Sequence, residues 1–113
     1  MKQDVSIQLW EQANKVLAGG VNSPVRAFKG VGGTPFFASS GSGPYVTDAD
    51  GNTLVDYVLS WGPLAAGHAH PQVVAAVEEA IKKGFGFGIP TEKETQLAEK
   101  IISHFPRDRK SVV

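Results

Sequence analysis

The sequence predicts an α+β chain with an N-terminal helix and extended arm, a small antiparallel β-meander of about three strands, and two amphipathic helices. Three patterns carry this prediction. Apolar residues recur at helical spacing after Val5, after Pro71 and after Thr91; β-branched and aromatic residues flank the Asp48–Asn52 turn; and glycines and prolines crowd the stretch that joins the first helix to the first strand.

In the first helix, Leu9, Ala13, Val16 and Leu17 share a face, Ser6 stands as the N-cap, and Gly19-Gly20 supplies the stop. Val21 to Thr34 has no sustained period and reads as an arm that something else must hold in place. Pro35-Phe36-Phe37-Ala38 reads as the first strand, closed by the Ser39-Ser40-Gly41-Ser42-Gly43 turn cluster. Tyr45–Thr47 and Thr53–Val58 form a hairpin around Asp48-Ala49-Asp50-Gly51-Asn52, a run able to supply positive φ. Pro71 opens the second helix because a first helical residue tolerates a missing N–H, and Val73, Val74, Val77, Ala80 and Ile81 line one face up to Gly84. On the other face Glu78 is paired with Lys82 and Glu79 with Lys83, four residues apart. Thr91 and Glu94 have capping-box spacing, and Leu97, Ala98, Ile101, Ile102 and Phe105 form the third helix's stripe before Pro106 ends it. The organisation expected is therefore residues 1–34 as helix and arm, and residues 35–113 as meander plus two helices.

With 113 residues, of which 42% are hydrophobic and 19% charged, the chain can build one modest core. Lysine plus arginine (11) balances aspartate plus glutamate (11), so no large field draws in nucleic acid or an anionic membrane. Arg107, Arg109 and Lys110 are broken by Asp108 and read as a solvated end. Cysteine is absent, which excludes disulfides and thiolate chemistry. No apolar run reaches the ~20 residues of a membrane span, and the polar start lacks a signal-peptide core; a cytoplasmic location is expected.

The chemical inventory is thin. His68 and His70 can present two imidazoles, but a catalytic zinc commonly takes three protein ligands and His104 lies at the far end of the last helix, so no metal site is expected. His70 instead caps the Pro71 helix while His68 hydrogen-bonds in a turn. Asp48, Asp50 and Asn52 lack the closing acidic ligand of a calcium loop. The glycine runs at 30–33 and 84–88 match neither a dinucleotide fingerprint nor a P-loop. Arg26 and Trp61 differ, because both sit in irregular, glycine- or proline-rich segments. A guanidinium suits a substrate carboxylate through two parallel hydrogen bonds, and an indole supplies a flat apolar wall. From residue type alone, a surface arginine and a core tryptophan remain the commoner outcomes.

Three segments carry a further reading: Gly20-Val21-Asn22-Ser23-Pro24-Val25-Arg26-Ala27-Phe28, Asp56-Tyr57-Val58-Leu59-Ser60-Trp61-Gly62-Pro63 and Gly67-His68-Ala69-His70-Pro71. In this order and spacing they resemble the N-terminal part of the glutamate-1-semialdehyde aminomutase family, a branch of the class-III aminotransferases. The resemblance implies part of the small domain of a pyridoxal-phosphate (PLP) fold-type-I homodimer that converts glutamate-1-semialdehyde to 5-aminolevulinate in tetrapyrrole synthesis. It implies substrate-binding roles for Ser23, Arg26 and Trp61, of which Arg26 takes the carboxylate. It assigns no catalytic, cofactor-binding or metal-binding residue to this chain, because the phosphate cup, the aspartate at the pyridine nitrogen and the Schiff-base lysine lie in a large domain. PLP is thus expected in the full-length enzyme and not on this chain alone, which is expected to be an inactive fragment that self-associates through an exposed apolar patch. The ending Arg107–Val113 departs from the family pattern. The rival readings are another class-III aminotransferase, or a non-catalytic interaction or dimerisation remnant.

Overall fold

The computed structural model describes residues 1–105. Its elements are α1 (Asp4–Val16), β1 (Ala38–Ser42), β2 (Tyr45–Asp48), β3 (Thr53–Val55), α2 (Pro71–Ile81) and α3 (Glu92–His104), with single 3-10 turns at Ala18–Gly20, Pro24–Ala27 and Leu59–Trp61. The chain divides into two compact units, Met1–Ala75 and Ala76–Val113, and the division falls inside α2.

In the first unit the strands form one antiparallel sheet in the order β1-β2-β3, with Gly41 opposite Val46 and Val46 opposite Leu54. The meander is as the residue pattern predicts, but its first strand is displaced. Pro35, Phe36 and Phe37 precede the sheet, and the serine-glycine run read as a turn is itself β1. The aromatics are used otherwise: Phe36 meets Phe28 edge-on at 5.8 Å, and the Phe37 carbonyl accepts the Ala49 N–H at 2.7 Å. The serines can enter the ladder because Ser39 sits at a bulge and sends its hydroxyl to the carbonyls of Thr47 and Asp48, both at 3.0 Å. At the other end β3 stops at Val55 rather than Val58, since Asp56 turns its carboxylate onto the amides that follow.

Ser6 is not the N-cap of α1. The helix begins at Asp4, and Gln3 in the cap position makes no side-chain bond. The open amides of Val5 and Ser6 are met by the Asp50 carboxylate at 2.7 and 3.0 Å, and the buried Ser6 hydroxyl also donates to it at 2.5 Å. Burial works against ionising Asp50, but the Ser6 hydroxyl and the Val5 and Ser6 amides outweigh it and hold its carboxyl below the ordinary value. The hairpin is set in turn by Asp48, whose buried carboxylate accepts the Asp50 amide at 3.0 Å and both the amide and side-chain N–H of Asn52 at 2.7 Å. Among the described residues the fully buried side chains are Ser6 and Asp48, while the buried apolar residues of the core, Ala13 and Ala27, are small. Polar ties rather than large apolar side chains therefore organise this unit.

The second unit is built from local signals. The Glu94 carboxylate accepts the Thr91 amide at 3.2 Å and its hydroxyl at 3.0 Å, so the expected capping box forms. On α2 the surface pair is Lys82 with Glu79, three residues apart at 2.6 Å, in place of the two four-apart pairs predicted. No residue of α2 or α3 is buried. Apart from the half-buried Ala98 and Ile101 their apolar stripes stay exposed, and within the second unit Ile81, Phe85, Phe87, Ile89 and Pro90 surround an apolar groove. Pro106, expected to end α3, lies outside the described residues.

Candidate functional site

The site is built on two turns of the first unit. The first follows α1. The Trp10 ring covers Gly20, where an added Cβ would stand 2.7 Å from Cζ3 and 2.9 Å from Cη2. With φ at 72° as well, glycine is the residue that fits, and the arm is pinned at its root. Ser23 is then extended, Pro24 opens a 3-10 turn, and the Arg26 amide donates to the Ser23 carbonyl at 3.0 Å. Ala27 is buried, and the αL conformation of Phe28 lets its carbonyl accept the Val31 and Gly32 amides at 3.0 and 2.7 Å. Ser23 and Arg26 thus begin and end one short turn whose last residues are anchored. The Arg26 guanidinium is exposed and has no ion pair among the described residues.

The second turn carries Trp61. Leu59, Ser60 and Trp61 have φ of 51°, 52° and 65°, and Gly62 follows at 116°. A non-glycine residue in this left-handed region costs roughly 1–2 kcal/mol, so three in succession need local support. The turn closes with the Trp61 amide on the Val58 carbonyl at 3.0 Å and the Gly62 amide on Leu59 at 2.9 Å. Trp61 is 73% exposed among the described residues. The structure therefore brings Ser23 and Arg26 together, and places Trp61 on a separate turn of the same unit.

Asp56 and His68 were not singled out as a pair from the sequence. His68 Nε2 lies 2.7 Å from Asp56 Oδ2, while Oδ1 accepts the Val58 and Leu59 amides at 2.8 and 3.1 Å. The His68 contact first, then those two amides, hold the Asp56 carboxyl below its ordinary value. With Asp56 ionised, the shared proton sits on the imidazole and His68 donates. His68 is fixed by reciprocal backbone bonds with Gly43, and its ring lies against Gly41, where a Cβ would stand 2.5 Å from Cγ. The available signal was an aspartate two and three residues before amides that need an acceptor. The predicted turn hydrogen bond of His68 is present. His70 meets α2 through its carbonyl, which accepts the Val74 amide at 2.9 Å, while its buried Nδ1 has no partner among the described residues.

Among the described residues no group of three or more His, Cys, Asp or Glu is placed to hold a metal. A Schiff-base lysine needs a partly desolvated amine, yet Lys2, Lys15, Lys29, Lys82, Lys83, Lys93 and Lys100 are all exposed. These residues by themselves do not fit a PLP site.

Residues 28–113 match the family model described as aminotransferase class-III. The chain is 54% identical over 106 residues to the glutamate-1-semialdehyde 2,1-aminomutase of Anaeromyxobacter dehalogenans (strain 2CP-C), covering 94% of this chain and 25% of that protein. Among solved structures, a transaminase with PLP bound superposes with a TM-score of 0.81 at 36% identity, over 91% of this chain and 24% of the other. A glutamate-1-semialdehyde aminomutase from Pseudomonas aeruginosa PAO1 shares the fold with a TM-score of 0.79 at 24% identity, over 90% and 22%. The chain thus spans about a quarter of the length of the relatives it matches.

Proposed function

The chain belongs to the class-III aminotransferase family, and from that premise we propose that it is the N-terminal part of a glutamate-1-semialdehyde 2,1-aminomutase, whose activity requires the longer protein. The observation that carries this reading is the 54% identity maintained over 106 residues. Residues 1–34 then supply a helix and the substrate-pocket arm, and residues 35–113 a segment of the small domain. Arg26 grips the carboxylate of glutamate-1-semialdehyde through two parallel N–H···O bonds; Ser23, at the other end of the same turn, and the exposed Trp61 indole line the pocket. PLP, bound by the longer protein, supplies the amino-transfer chemistry; this chain's part is to orient the substrate and exclude water. The same reading makes the whole enzyme a cytoplasmic homodimer.

The test is a chimera in which this chain replaces the matching quarter of the Anaeromyxobacter aminomutase. It is expected to form 5-aminolevulinate from glutamate-1-semialdehyde. Arg26→Leu in that chimera lowers kcat/KM by the equivalent of roughly 2–5 kcal/mol, and Arg26→Lys recovers part of it. Amino donors without the carboxylate are spared. A folded, PLP-loaded chimera that transaminates other donors and leaves glutamate-1-semialdehyde untouched would replace the aminomutase reading with that of another class-III aminotransferase.

A further inference from the structure

Three successive non-glycine residues in the left-handed region do not hold that shape unaided, and here the support is local and specific. The amides of Val58, just before the run, and of Leu59, its first residue, both end on Asp56 Oδ1. The other carboxylate oxygen is held by His68 Nε2 at 2.7 Å. His68 cannot drift, because its own N–H and C=O are paired with Gly43 and its ring is seated on Gly41. The chain thus runs from a sheet-anchored histidine through a carboxylate to the turn that displays Trp61.

We propose that Asp56 and His68 form a positioning pair for Trp61, with the carboxylate locking the left-handed turn and the imidazole locking the carboxylate. Neither residue touches the reacting atoms. Their functional consequence rests on the reading of Trp61 as a wall of the substrate pocket; the geometric part stands without it. Loss of either partner frees the amides of Val58 and Leu59, lets Leu59–Trp61 relax to negative φ, and turns the indole away from its present direction.

The test uses the 113-residue chain labelled with 5-fluorotryptophan, which has two tryptophans, Trp10 and Trp61, and therefore two fluorine resonances. Trp61→Phe assigns them. Asp56→Ala and His68→Ala are expected to move the Trp61 resonance toward that of the free amino acid and to speed exchange of the Val58 and Leu59 amides about tenfold, one hydrogen bond's worth of opening. The Trp10 resonance stays where it is. His68→Gln, whose amide nitrogen can reach Asp56, restores the Trp61 resonance. An unmoved Trp61 resonance in both alanine variants overturns the proposal, as does a joint shift of both resonances that glutamine does not rescue. In the chimera, His68→Ala raises KM for glutamate-1-semialdehyde more than it lowers kcat, and His68→Gln reverses this. A chimera without aminomutase activity defeats the functional reading and leaves the fluorine result to decide the positioning role.

Discussion

Between Met1 and Ala75 the fully buried side chains are Ser6 and Asp48, and hydrogen bonds tie residues 44 to 50 positions apart, as from Ser6 to Asp50 and from Lys2 to Asn52. Between Ala76 and Phe105 no side chain is buried, and every side-chain hydrogen bond spans four residues or fewer. The first unit is specified by long-range polar partners; the second is specified by helical period and caps. Helices of 11 and 13 residues are marginal alone, so the exposed stripes of α2 and α3 call for surfaces that the described residues do not provide.

The contrast breaks or holds first at Asp48. Asp48→Ala leaves three donors of the hairpin without their acceptor and is expected to cost about 3 kcal/mol. Val77→Ala on the exposed face of α2 is expected to fall within about 0.5 kcal/mol. Urea unfolding followed by tryptophan fluorescence for the first unit, which holds both Trp10 and Trp61, and by far-ultraviolet dichroism for the helices, checks both. Equal losses would mean that the two units do not differ in kind. Glycines give the next comparison. Gly41→Ala drives a Cβ into His68 and costs roughly 1–3 kcal/mol, whereas Gly86→Ala meets nothing within 4 Å and is neutral or stabilises by up to about 1 kcal/mol.

These residues also show what was legible beforehand. The helices could be read because period, Pro71 and the Thr91–Glu94 box act within a turn or two. The arm could be read as irregular, and Ser23 and Arg26 do share one anchored turn within it. The shift of the first strand could not. Pro35–Phe37 have the better strand composition, but Ser39 finds the Thr47 and Asp48 carbonyls and Gly41 alone admits the His68 ring, and both partners lie elsewhere in the chain. Asp50 as the cap of α1 and Asp56 as the partner of His68 were hidden for the same reason. Residue type shows that a carboxylate needs donors, and only the fold shows which donors they are.

Acid separates the units by a smaller and graded effect. Asp50 and Asp56 are both held below the ordinary carboxyl value of 3.8, so the unfolded chain takes up protons before the folded one as pH falls. Their contribution is complete above that value and is lost as pH drops from it through the depressed folded values. The first unit is therefore expected to lose stability below about pH 4, with the Val58 and Leu59 amides that Asp56 holds and the Val5 and Ser6 amides that Asp50 holds exchanging faster. Asp56→Asn flattens the part of this profile reported by the Val58 and Leu59 amides and leaves the part reported by Val5. A profile that Asp56→Asn does not alter would separate Asp56 from the acid response.

The smallest expected effect tests whether the second unit draws anything from its charges. Lys82 and Glu79 approach to 2.6 Å, but their side chains are 67% and 73% exposed, so water screens the attraction and holding two long side chains in one geometry consumes much of the gain. A pair three residues apart on a helix surface is worth about 0.2–0.5 kcal/mol at low salt. Glu79→Gln should thus lower the helical signal by an amount near the limit of detection, and the difference should vanish in ~1 M salt, where the screening length is near 3 Å. A loss as large as that of Asp48→Ala, or one that persists in high salt, would mean that Glu79 is covered in solution by something other than water. The exposed stripe of α2 beside it would then be the face to examine by crosslinking from Lys82 and Lys83.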